Sequence, residues 1–547
     1  MQHGGKILAA QLAKMGVKRV FQVPGESFLA ALDGLLDHDI EVVTCRHEGA
    51  AAMMAEAHAK LTGQVGVCFV TRGPGACNAS AGIHIARQDS SPVVMFVGQI
   101  SRSDRGREAF QEVDYRQMFG DLAKWVEEVD QTERLPEFIQ RAFQTALSGR
   151  PGPVVLALPE DMLSAACHNL PLREGAVLHQ ASDLAEPAKT IMERIERAQR
   201  PLIVVGGPHW SADAAQSLRE FAEANNIPVA AGFRRQDYID NQSFAYAGDL
   251  NVGLNPKLAA CFKKADLIIA LGSRLGDIET QGYSLMADRK ALVHIHAGAE
   301  EIGRVWPTEL GVVARADEMI AALHKCAPLQ RQPDWMAECR AAYDAWLQPT
   351  ESPGDAKQEN IIGWLSETLP KDAIVTNGAG NYAAWLHRYF SYKSYGTQLA
   401  PTSGSMGYGF PAAIAAKLEH PAKTVVCLAG DGCFQMTLNE MSTAMQHGAS
   451  VIVIVMNNRR YGTIRMHQEK TYPARVSGTD MATPDFAALA RAYGGHGETV
   501  QNDGQFAAAF KRAEASGKVS IIEVQLDDDV LSTGQSLSAT RALALKG

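Results

Sequence analysis

The sequence predicts an α/β protein built from three doubly wound parallel-sheet domains. Short apolar runs rich in Val and Ile recur along its 547 residues, and a helical pattern follows each of them. Examples are 66-GVCFV-70, 202-LIVVGG-207 and 451-VIVIVMNN-458. Strands of this length that alternate with helices are typical of parallel sheets covered on both faces.

Two polar stretches mark the boundaries between the predicted domains. One is 167–188, and the other is 327–335, with the same polar character continuing through 348–360. Stretches of this composition with little apolar periodicity indicate linkers. They leave three segments, each long enough to bury a hydrophobic core of its own. We therefore predict domains at 1–165, 185–325 and 350–547.

The composition argues against a nucleic-acid or membrane partner. The formal net charge is −9, whereas surfaces that bind nucleic acid or anionic lipid need clustered Lys and Arg. No run of about 18 or more apolar residues is present, and the N-terminus has an amphipathic pattern rather than the apolar centre of a signal peptide. The nine cysteines include no C-x-x-C pair, which is typical of reduced thiols. We therefore expect a cytoplasmic protein.

The most informative segment is 424–462, which predicts a site for a hard metal ion. It consists of a strand, a Gly-Asp-Gly turn, an amphipathic helix, a second strand and an Asn-Asn pair. Asp431 follows the first strand and Asn458 follows the second. Because ligands bind at the carboxyl ends of parallel strands, we expect these two side chains to converge. Oxygen ligands suit Mg²⁺ or Ca²⁺, and glycines on both sides of Asp431 let the backbone approach a ligand.

This arrangement resembles the thiamine diphosphate signature of the pyruvate decarboxylase and acetolactate synthase superfamily. The resemblance implies that Asp431, Asn458 and the backbone carbonyl of Arg460 hold Mg²⁺ against the cofactor diphosphate. It also implies that Asn457 supports the turn. The flanking residues that it assigns to the cofactor site are Gly430, Gly432, Tyr461 and Gly462.

The loop 376-TNGAGNYAAW-385 matches a second part of the same cofactor site. It leads from a strand into a helix, so backbone N–H groups at the start of the helix can face a phosphate. The resemblance places Gly380, Asn381 and Tyr382 near the diphosphate. Acetolactate synthases usually carry Gln-His where this chain has Asn-Tyr, and a phosphate contact made by the backbone survives that change.

The loop 403-SGSMGYGFPAA-413 matches the part of the family site that surrounds the two rings of the cofactor. The resemblance implies that Met406 wedges between the rings and bends the cofactor. It also implies that the carbonyl of Gly404 accepts a hydrogen bond from the aminopyrimidine. An isolated methionine is more often a core residue, but its place in this loop favours the cofactor contact.

The segment 45-CRHEGAAAMMAEAHAKLTG-63 carries the residue that we predict to be the catalytic acid. The glutamate that the family has at this place corresponds to Glu48. A carboxyl group bonded to the pyrimidine nitrogen favours the imino tautomer, which can then remove the C2 proton of the thiazolium ring. A glutamate in the first turn of a helix is also favoured by the helix dipole alone. In the family this glutamate and the metal clamp come from different subunits, which implies a homodimer or homotetramer with active sites at subunit interfaces.

The resemblance covers nearly the whole chain and is closest to acetolactate synthase large subunits. It implies decarboxylation of a 2-oxo acid through an enamine, followed by formation of an acyloin or an acetohydroxy acid. It counts Gln111 with Glu48 as catalytic. The residues that it places on the substrate side of the thiazolium ring are Gly25, Phe110, Gln111 and Lys124.

Two departures from acetolactate synthases concern the acceptor and a flavin. His467 stands where biosynthetic acetolactate synthases carry a Trp that helps to select the acceptor. Together with Arg465 and Lys470, it either binds an anionic acceptor or belongs to a solvated surface. In the central domain, Gly206, Gly207 and Arg274 fit the flavin site of some family members. Because 294-HIHAG-298 lacks the usual acidic residue, binding of FAD stays open.

Several other functions are alternatives to an acetolactate synthase-like enzyme. A simple 2-oxo acid decarboxylase and a relative of the 2-hydroxyacyl-CoA lyases share the same cofactor chemistry. An NAD(P)-dependent dehydrogenase is disfavoured because no G-x-G-x-x-G with a following ribose-binding acid is evident. A non-catalytic cofactor-binding protein is disfavoured because Glu48, Asp431 and Asn458 are all intact.

Overall fold

The computed structural model describes residues 2–168, 170–175, 183–287 and 291–546. The linker predicted at 167–188 lies partly outside these residues. Within the described ranges, every helix is too short or too polar to cross a membrane.

The strands and helices alternate along most of the chain. The strands before residue 170 are β1 Gln2–His3, β2 Arg19–Gln22, β3 Glu41–Thr44, β4 Gly66–Val70, β5 Val93–Gln99, β6 Trp125–Glu128, β7 Val154–Pro159 and β8 Ala166–Cys167. The central strands are β9 Pro201–Val205, β10 Val229–Ala231, β11 Tyr246–Asp249, β12 Leu267–Leu271, β13 Ala291–His296 and β14 Leu310–Val313. The last strands are β15 Ile374–Asn377, β16 Gln398–Leu399, β17 Val425–Gly430, β18 Ile452–Asn457, β19 His496–Val500 and β20 Ser520–Gln525.

The α-helices lie mostly between these strands. The first are α1 Gly4–Lys14, α2 Leu29–Leu35, α3 Glu48–Thr62, α4 Pro74–Asp89, α5 Tyr115–Phe119, α6 Leu135–Leu147 and α7 Glu160–Ser164. The next are α8 Ala185–Arg197, α9 Ala212–Ala224, α10 Pro256–Lys264, α11 Ala316–His324, α12 Asp334–Trp346 and α13 Gln358–Thr368. The last are α14 Tyr382–Tyr389, α15 Gly409–Glu419, α16 Asp431–Gln435, α17 Met441–Gln446, α18 Gly462–Thr471, α19 Phe486–Ala492, α20 Asp503–Ala515 and α21 Leu537–Ala544.

The first compact unit combines the N-terminal third with two later segments. It contains Met1–His179, Pro401–Pro421 and Thr437–Ser450. Its sheet has the strand order β3-β2-β4-β5-β7-β6, and all neighbouring strands are parallel. Helix α15 packs on α3, where the hydroxyl of Tyr408 donates to the buried carboxyl of Glu56 at 2.5 Å.

The second compact unit holds two further parallel sheets. It contains Gln180–Ala400, Ala422–Met436 and Val451–Gly547. The central sheet has the order β11-β10-β9-β12-β13-β14, and the C-terminal sheet has the order β16-β15-β17-β18-β20-β19. Helix α12 lies beyond residue 325, yet Trp335 and Cys339 belong to the core of the central sheet. Helix α12 therefore packs on the central sheet.

The three six-stranded parallel sheets confirm the predicted α/β fold. The predicted strand 66-GVCFV-70 is β4, and all five of its residues are buried. The same is true of β9, β12, β17 and β18. Strands covered on both faces bury every side chain, which explains why their sequences are continuous apolar runs.

Candidate active site

The ends of β17 and β18 bring the predicted metal ligands to one edge of the C-terminal sheet. The two strands are parallel neighbours, and their register pairs Gly430 with Met456. Asp431 and the Asn457–Asn458 pair therefore leave the sheet side by side at its carboxyl edge. Asp431 opens helix α16, and the backbone N–H of Gly432 donates to its Oδ1 at 2.8 Å.

The second carboxyl oxygen of Asp431 fits a metal ligand. Oδ2 is buried and has no hydrogen-bond partner among the residues that the structure describes. Burial raises the pKa of this carboxyl to about 6. The backbone N–H groups of Gly432, Arg459 and Arg460 act in the opposite direction, but the effect of burial is larger. A buried oxygen without a partner costs free energy. A divalent cation would supply the missing contact.

Asn457 holds the loop that faces Asp431. Its Nδ2 donates to Glu523 Oε1 at 2.7 Å and to Thr483 Oγ1 at 3.2 Å, while its Oδ1 accepts the backbone N–H of Arg459 at 3.1 Å. Arg459 has a φ of 55°, in the left-handed region that few non-glycine residues adopt. These hydrogen bonds fix the strained turn and agree with the supporting role expected of Asn457.

We expect Asn457→Ala to loosen this turn and weaken cofactor binding. The change leaves the buried Glu523 carboxyl and the Arg459 N–H without the amide partner. The affinity for thiamine diphosphate in the presence of Mg²⁺ should fall by about 10–100-fold, as for groups that orient metal ligands. Titration of the apo-protein measures it, with Thr483→Val as a control that removes only the longer contact. Equal affinities for Asn457→Ala and the wild type would remove this role.

The other two predicted metal ligands lie in the same loop. The half-buried Asn458 side chain lies against Gly462, where an added Cβ would be 3.2 Å from its Nδ2. The side chain of Arg460 turns away from the sheet, and its Nη1 donates to the backbone carbonyl of Asp528 at 2.5 Å. This placement fits a backbone role for Arg460. It also leaves the guanidinium out of the proposed metal shell.

The loop before α14 lies beside the Gly-Asp-Gly turn. The ring of Tyr382 packs closely on Gly430. A Cβ atom added at Gly430 would lie 2.8 Å from the Tyr382 ring. Its hydroxyl accepts the N–H of Gly378 at 3.1 Å and donates to Cys433 Sγ at 3.3 Å. Tyr382 is thus a packed structural side chain, and the glycine at 430 is required by its ring.

Asn381 is likewise engaged by the protein itself. Its Oδ1 accepts from Thr463 Oγ1 at 2.9 Å, and its Nδ2 donates to the carbonyl of Leu531 at 2.8 Å. It therefore ties the loop to α18 and to the C-terminal segment. Because the side chains of Asn381 and Tyr382 are both used in this way, a diphosphate contact from this loop falls to backbone groups.

Helix α18 carries Arg465, His467 and Lys470, the three residues expected either to bind an anionic acceptor or to form a solvated surface. Arg465 is buried, and it donates to Thr479 Oγ1 at 3.0 Å and pairs with Asp480. It is therefore committed to structure rather than to an anionic acceptor. His467 and Lys470 are exposed on this helix, as is Ile464. Of the three basic or titratable residues considered for an anionic acceptor, His467 and Lys470 are therefore the two whose side chains face solvent.

Glu469 on α18 anchors the C-terminal helix α21. Its buried carboxyl accepts two hydrogen bonds from Arg541, at 2.9 and 2.6 Å. The hydrogen bond from Arg541 lowers the pKa of Glu469 to about 2 from an ordinary value of 4.5. Because the pKa of Glu469 is lower in the folded protein, the ion pair contributes fully to stability at pH values above 4.5. This contribution is lost as the pH falls toward about 2.

We expect Arg541→Met to release α21 from α18 more readily. Losing one partner of a buried ion pair should lower the free energy of local opening by roughly 1–3 kcal/mol. Hydrogen exchange of the α21 amides should accelerate, with α20 as an internal control. The difference from wild type should be full near neutral pH and shrink below about pH 4.5. Unchanged exchange in α21 at neutral pH would contradict this account.

Glu48 opens α3 in the first unit. The ring Nδ1 of His47 accepts the N–H of Gly49 at 3.0 Å and caps the helix. Glu48 is half-buried, and its Oε2 accepts from Asn78 Nδ2 at 2.9 Å. The first turn of a helix favours a carboxylate. The buried Glu440 holds Arg46, two residues before Glu48, because its carboxyl accepts the N–H of Arg46 at 3.1 and 3.2 Å.

The structure brings only some of the other predicted residues of this unit together. Gly25 follows β2 and lies against Thr71, just beyond the end of β4. Gln111 has a φ of 67° and packs on Gly73 in the same region. Phe110 beside it is 75% exposed.

Lys124 stands apart from that group. It precedes β6 and therefore lies at the amino-terminal edge of the sheet, opposite the carboxyl edge where β2 and β4 end. Its Nζ donates to the carbonyl of Ser148 at 2.6 Å. The structure therefore does not bring Lys124 together with Gly25 and Gln111 within this unit.

The loop that carries Gly404 and Met406 is fixed at both ends within the first unit. The N–H of Thr402 donates to the carboxyl of Asp89 at 3.2 and 3.3 Å, and the carbonyl of Gly407 accepts from Thr437 Oγ1 at 2.8 Å. Gly404 has a φ of +67°, which favours glycine. Met406 is half-buried rather than part of the core, so its side chain is available to a ligand.

Sequence reasoning missed Arg234, which lies between β10 and β11 and supports the loop before α14. Arg234 is buried, and its Nη2 donates to the carbonyl of Gly378 at 2.9 Å. Its φ of 59° is another left-handed value for a residue with a side chain. A polar pair such as 234-RR-235 was the only local signal, and it does not reveal a partner 144 positions away.

Comparison with known proteins agrees with this arrangement. Three domain models of the thiamine pyrophosphate enzymes match the chain: the N-terminal TPP binding domain at 2–118, the central domain at 188–323 and the C-terminal TPP binding domain at 378–524. The acetolactate synthase isozyme 2 large subunit of Escherichia coli (strain K12) is 31% identical over 531 residues, which span 96% of each chain. The mitochondrial acetolactate synthase catalytic subunit of Saccharomyces cerevisiae is 31% identical over 96% of this chain and 81% of its own.

The fold and these matches define a protein of the class of thiamine pyrophosphate enzymes, which are built from α/β domains. The chain belongs to the thiamine pyrophosphate enzyme family and is similar to acetolactate synthase large subunits.

Proposed function

We propose that this chain is a thiamine diphosphate- and Mg²⁺-dependent lyase or carboligase that acts on a 2-oxo acid, in the manner of acetolactate synthases. The observation that carries the proposal is the buried Oδ2 of Asp431, which has no hydrogen-bond partner in the described part of the chain, beside the strained Asn457–Arg460 loop. Further support comes from the family membership and from the similarity to acetolactate synthases over nearly the whole chain. We further propose a cytoplasmic homodimer or homotetramer with active sites at subunit interfaces.

The residues of the second unit would bind the charged end of the cofactor. Asp431, Asn458 and the carbonyl of Arg460 would hold Mg²⁺, and the backbone of the loop before α14 would face the diphosphate. When bound, thiamine diphosphate supplies an electron sink for cleavage or formation of a bond next to a carbonyl carbon.

The residues of the first unit would handle the rings and the proton. Glu48 would exchange a proton with the pyrimidine nitrogen, and Asn78 would keep the carboxyl oriented through its hydrogen bond. Met406 would set the angle between the rings. Gln111 and Phe110 would border the substrate.

Simple decarboxylation is the second candidate. It is favoured by one observation: His467, which replaces the acceptor-selecting Trp of acetolactate synthases, is exposed and polar. Without an apolar acceptor contact, the 2-oxo acid would be converted to CO₂ and an aldehyde, with no second carbonyl compound joined to it.

Product analysis tests the proposal and separates the two candidates. The apo-protein is incubated with pyruvate and other 2-oxo acids, with thiamine diphosphate and Mg²⁺ added together or omitted singly, and products are identified by NMR. Acetolactate that forms only with both additions supports a synthase, and acetaldehyde supports a decarboxylase. Full cofactor occupancy without turnover of any 2-oxo acid or 2-hydroxyacyl-CoA would contradict both and favour a non-catalytic cofactor-binding protein.

A further inference from the structure

The central sheet has a switch point, the kind of place where α/β proteins bind dinucleotides in a crevice. Its strand order reverses between β9 and β12, because β10 and β11 extend it to one side and β13 and β14 to the other. Such a switch point is the usual ligand site of a doubly wound sheet. The turns that border it are Gly206–Gly207 after β9 and Gly272–Ser273 after β12. The first of these is the turn that matches a flavin site in sequence.

The backbone of these two turns is already paired within the chain. The N–H of Gly206 donates to the carbonyl of Leu271 at 3.1 Å, and an added Cβ at Gly207 would lie 1.9 Å from the carbonyl oxygen of Gly272. The carbonyl of Gly206 accepts from Trp210 Nε1 at 3.0 Å, and that of Gly207 accepts from the hydroxyl of Tyr238 at 2.8 Å. Glycine is therefore required at these positions because two segments of the protein lie close together, and not because a ligand does.

The carboxylate of Glu279 lies over the turns. Its Oε2 accepts from Ser273 Oγ at 2.6 Å, and its Oε1 accepts the N–H of Phe233 at 3.3 Å. An added Cβ at Gly232, at the end of β10, would lie 2.2 Å from Oε1, and one at Gly206 would lie 3.5 Å from it. The side chain thus takes the hydroxyl and N–H donors that a phosphate would use at this edge.

The strand that carries the ribose-binding acid in flavin-binding members also differs here. His294 and His296 are buried in β13. Nε2 of His294 lies 3.0 Å from the carbonyl oxygen of Ser273, and Nδ1 of His296 accepts the N–H of Gly298 at 3.0 Å. Burial lowers the pKa of His294, which favours its neutral form. Neither ring supplies the carboxylate that binds ribose hydroxyls.

We infer that the central domain does not bind FAD, because Glu279 fills the dinucleotide crevice with a carboxylate. A flavin dinucleotide would have to displace this side chain, break its two hydrogen bonds and place a diphosphate beside a like charge. The residues present do not fit the flavin that some members of the family carry.

The first test measures FAD binding directly, so it does not depend on the proposed reaction. Purified full-length protein is dialysed to equilibrium against FAD at concentrations up to about 100 μM, where a site of micromolar affinity would be nearly full. We expect no saturable binding. Saturable binding at one FAD per chain would overturn the inference, whether or not the protein turns over a 2-oxo acid.

The second test asks whether Glu279 fills the crevice. Glu279→Ala leaves the Ser273 hydroxyl and the Phe233 N–H without their acceptor, so its melting temperature should fall by several degrees. Asp277→Ala, at an exposed position of the same loop, is the matched control and should melt like the wild type. If Glu279→Ala melted no earlier than Asp277→Ala, the crevice would be open and the inference would fail.

Discussion

Glu48→Gln is expected to lower turnover of the 2-oxo acid by about 10²–10⁴-fold, the usual contribution of a positioned acid or base. Glutamine has nearly the same shape and can still accept from Asn78, but it cannot exchange a proton with the pyrimidine nitrogen. The affinity for thiamine diphosphate should stay within a few-fold of wild type, because the proposed diphosphate and metal contacts come from other residues.

Steady-state kinetics and cofactor titration on the same preparations measure both quantities. Glu133→Gln, an exposed glutamate in the same unit, is the control for a general effect of losing a negative charge. Near-normal turnover in Glu48→Gln would remove Glu48 from the catalytic role. A large loss of cofactor affinity would instead assign it to binding.

Asp431→Ala should produce the largest change in cofactor binding. Variants of residues that merely orient metal ligands lose about 10–100-fold in affinity, so loss of a direct ligand should exceed 100-fold for thiamine diphosphate in the presence of Mg²⁺. The reason is that the cation loses its charged ligand and the diphosphate then lacks its counterion. Without Mg²⁺, the wild type and the variant should bind the cofactor about equally weakly.

Calorimetric titration with and without Mg²⁺ separates the metal effect from a folding effect. Asp431→Asn keeps the shape of the side chain and should fall between the two extremes. Asp372→Ala, an exposed aspartate just before β15 and at the opposite edge of the sheet, should behave as wild type. A Mg²⁺-dependent affinity in Asp431→Ala equal to that of the wild type would rule out the clamp.

The sequence predicts the parts of the site that depend on local pattern. Apolar runs such as 451-VIVIVMNN-458 indicate buried strands, and parallel pairing then brings Asp431 and Asn458 to one edge. The turn-supporting role of Asn457 follows from the same motif. These predictions succeed because strand direction and periodicity determine where each strand ends.

Contacts between residues far apart in the chain could not be predicted in this way. Glu523, which binds Asn457, lies on another strand, and nothing in its neighbourhood marks it as a partner. The Gly206–Gly207 turn matches a flavin site, but only the three-dimensional structure shows that Glu279 covers it. The string 122-LAKW-125 likewise does not reveal that Lys124 comes before its strand rather than after it.

We propose that this chain activates thiamine diphosphate with one carboxylic acid and one metal clamp. The most direct test of this proposal is the rate of hydrogen–deuterium exchange at C2 of the bound cofactor, followed by NMR after rapid mixing with D₂O in the presence of Mg²⁺. We predict exchange far faster than in the free cofactor, and a return toward the free rate in Glu48→Gln with the cofactor still bound. Exchange in the wild-type complex no faster than in free thiamine diphosphate would contradict the account.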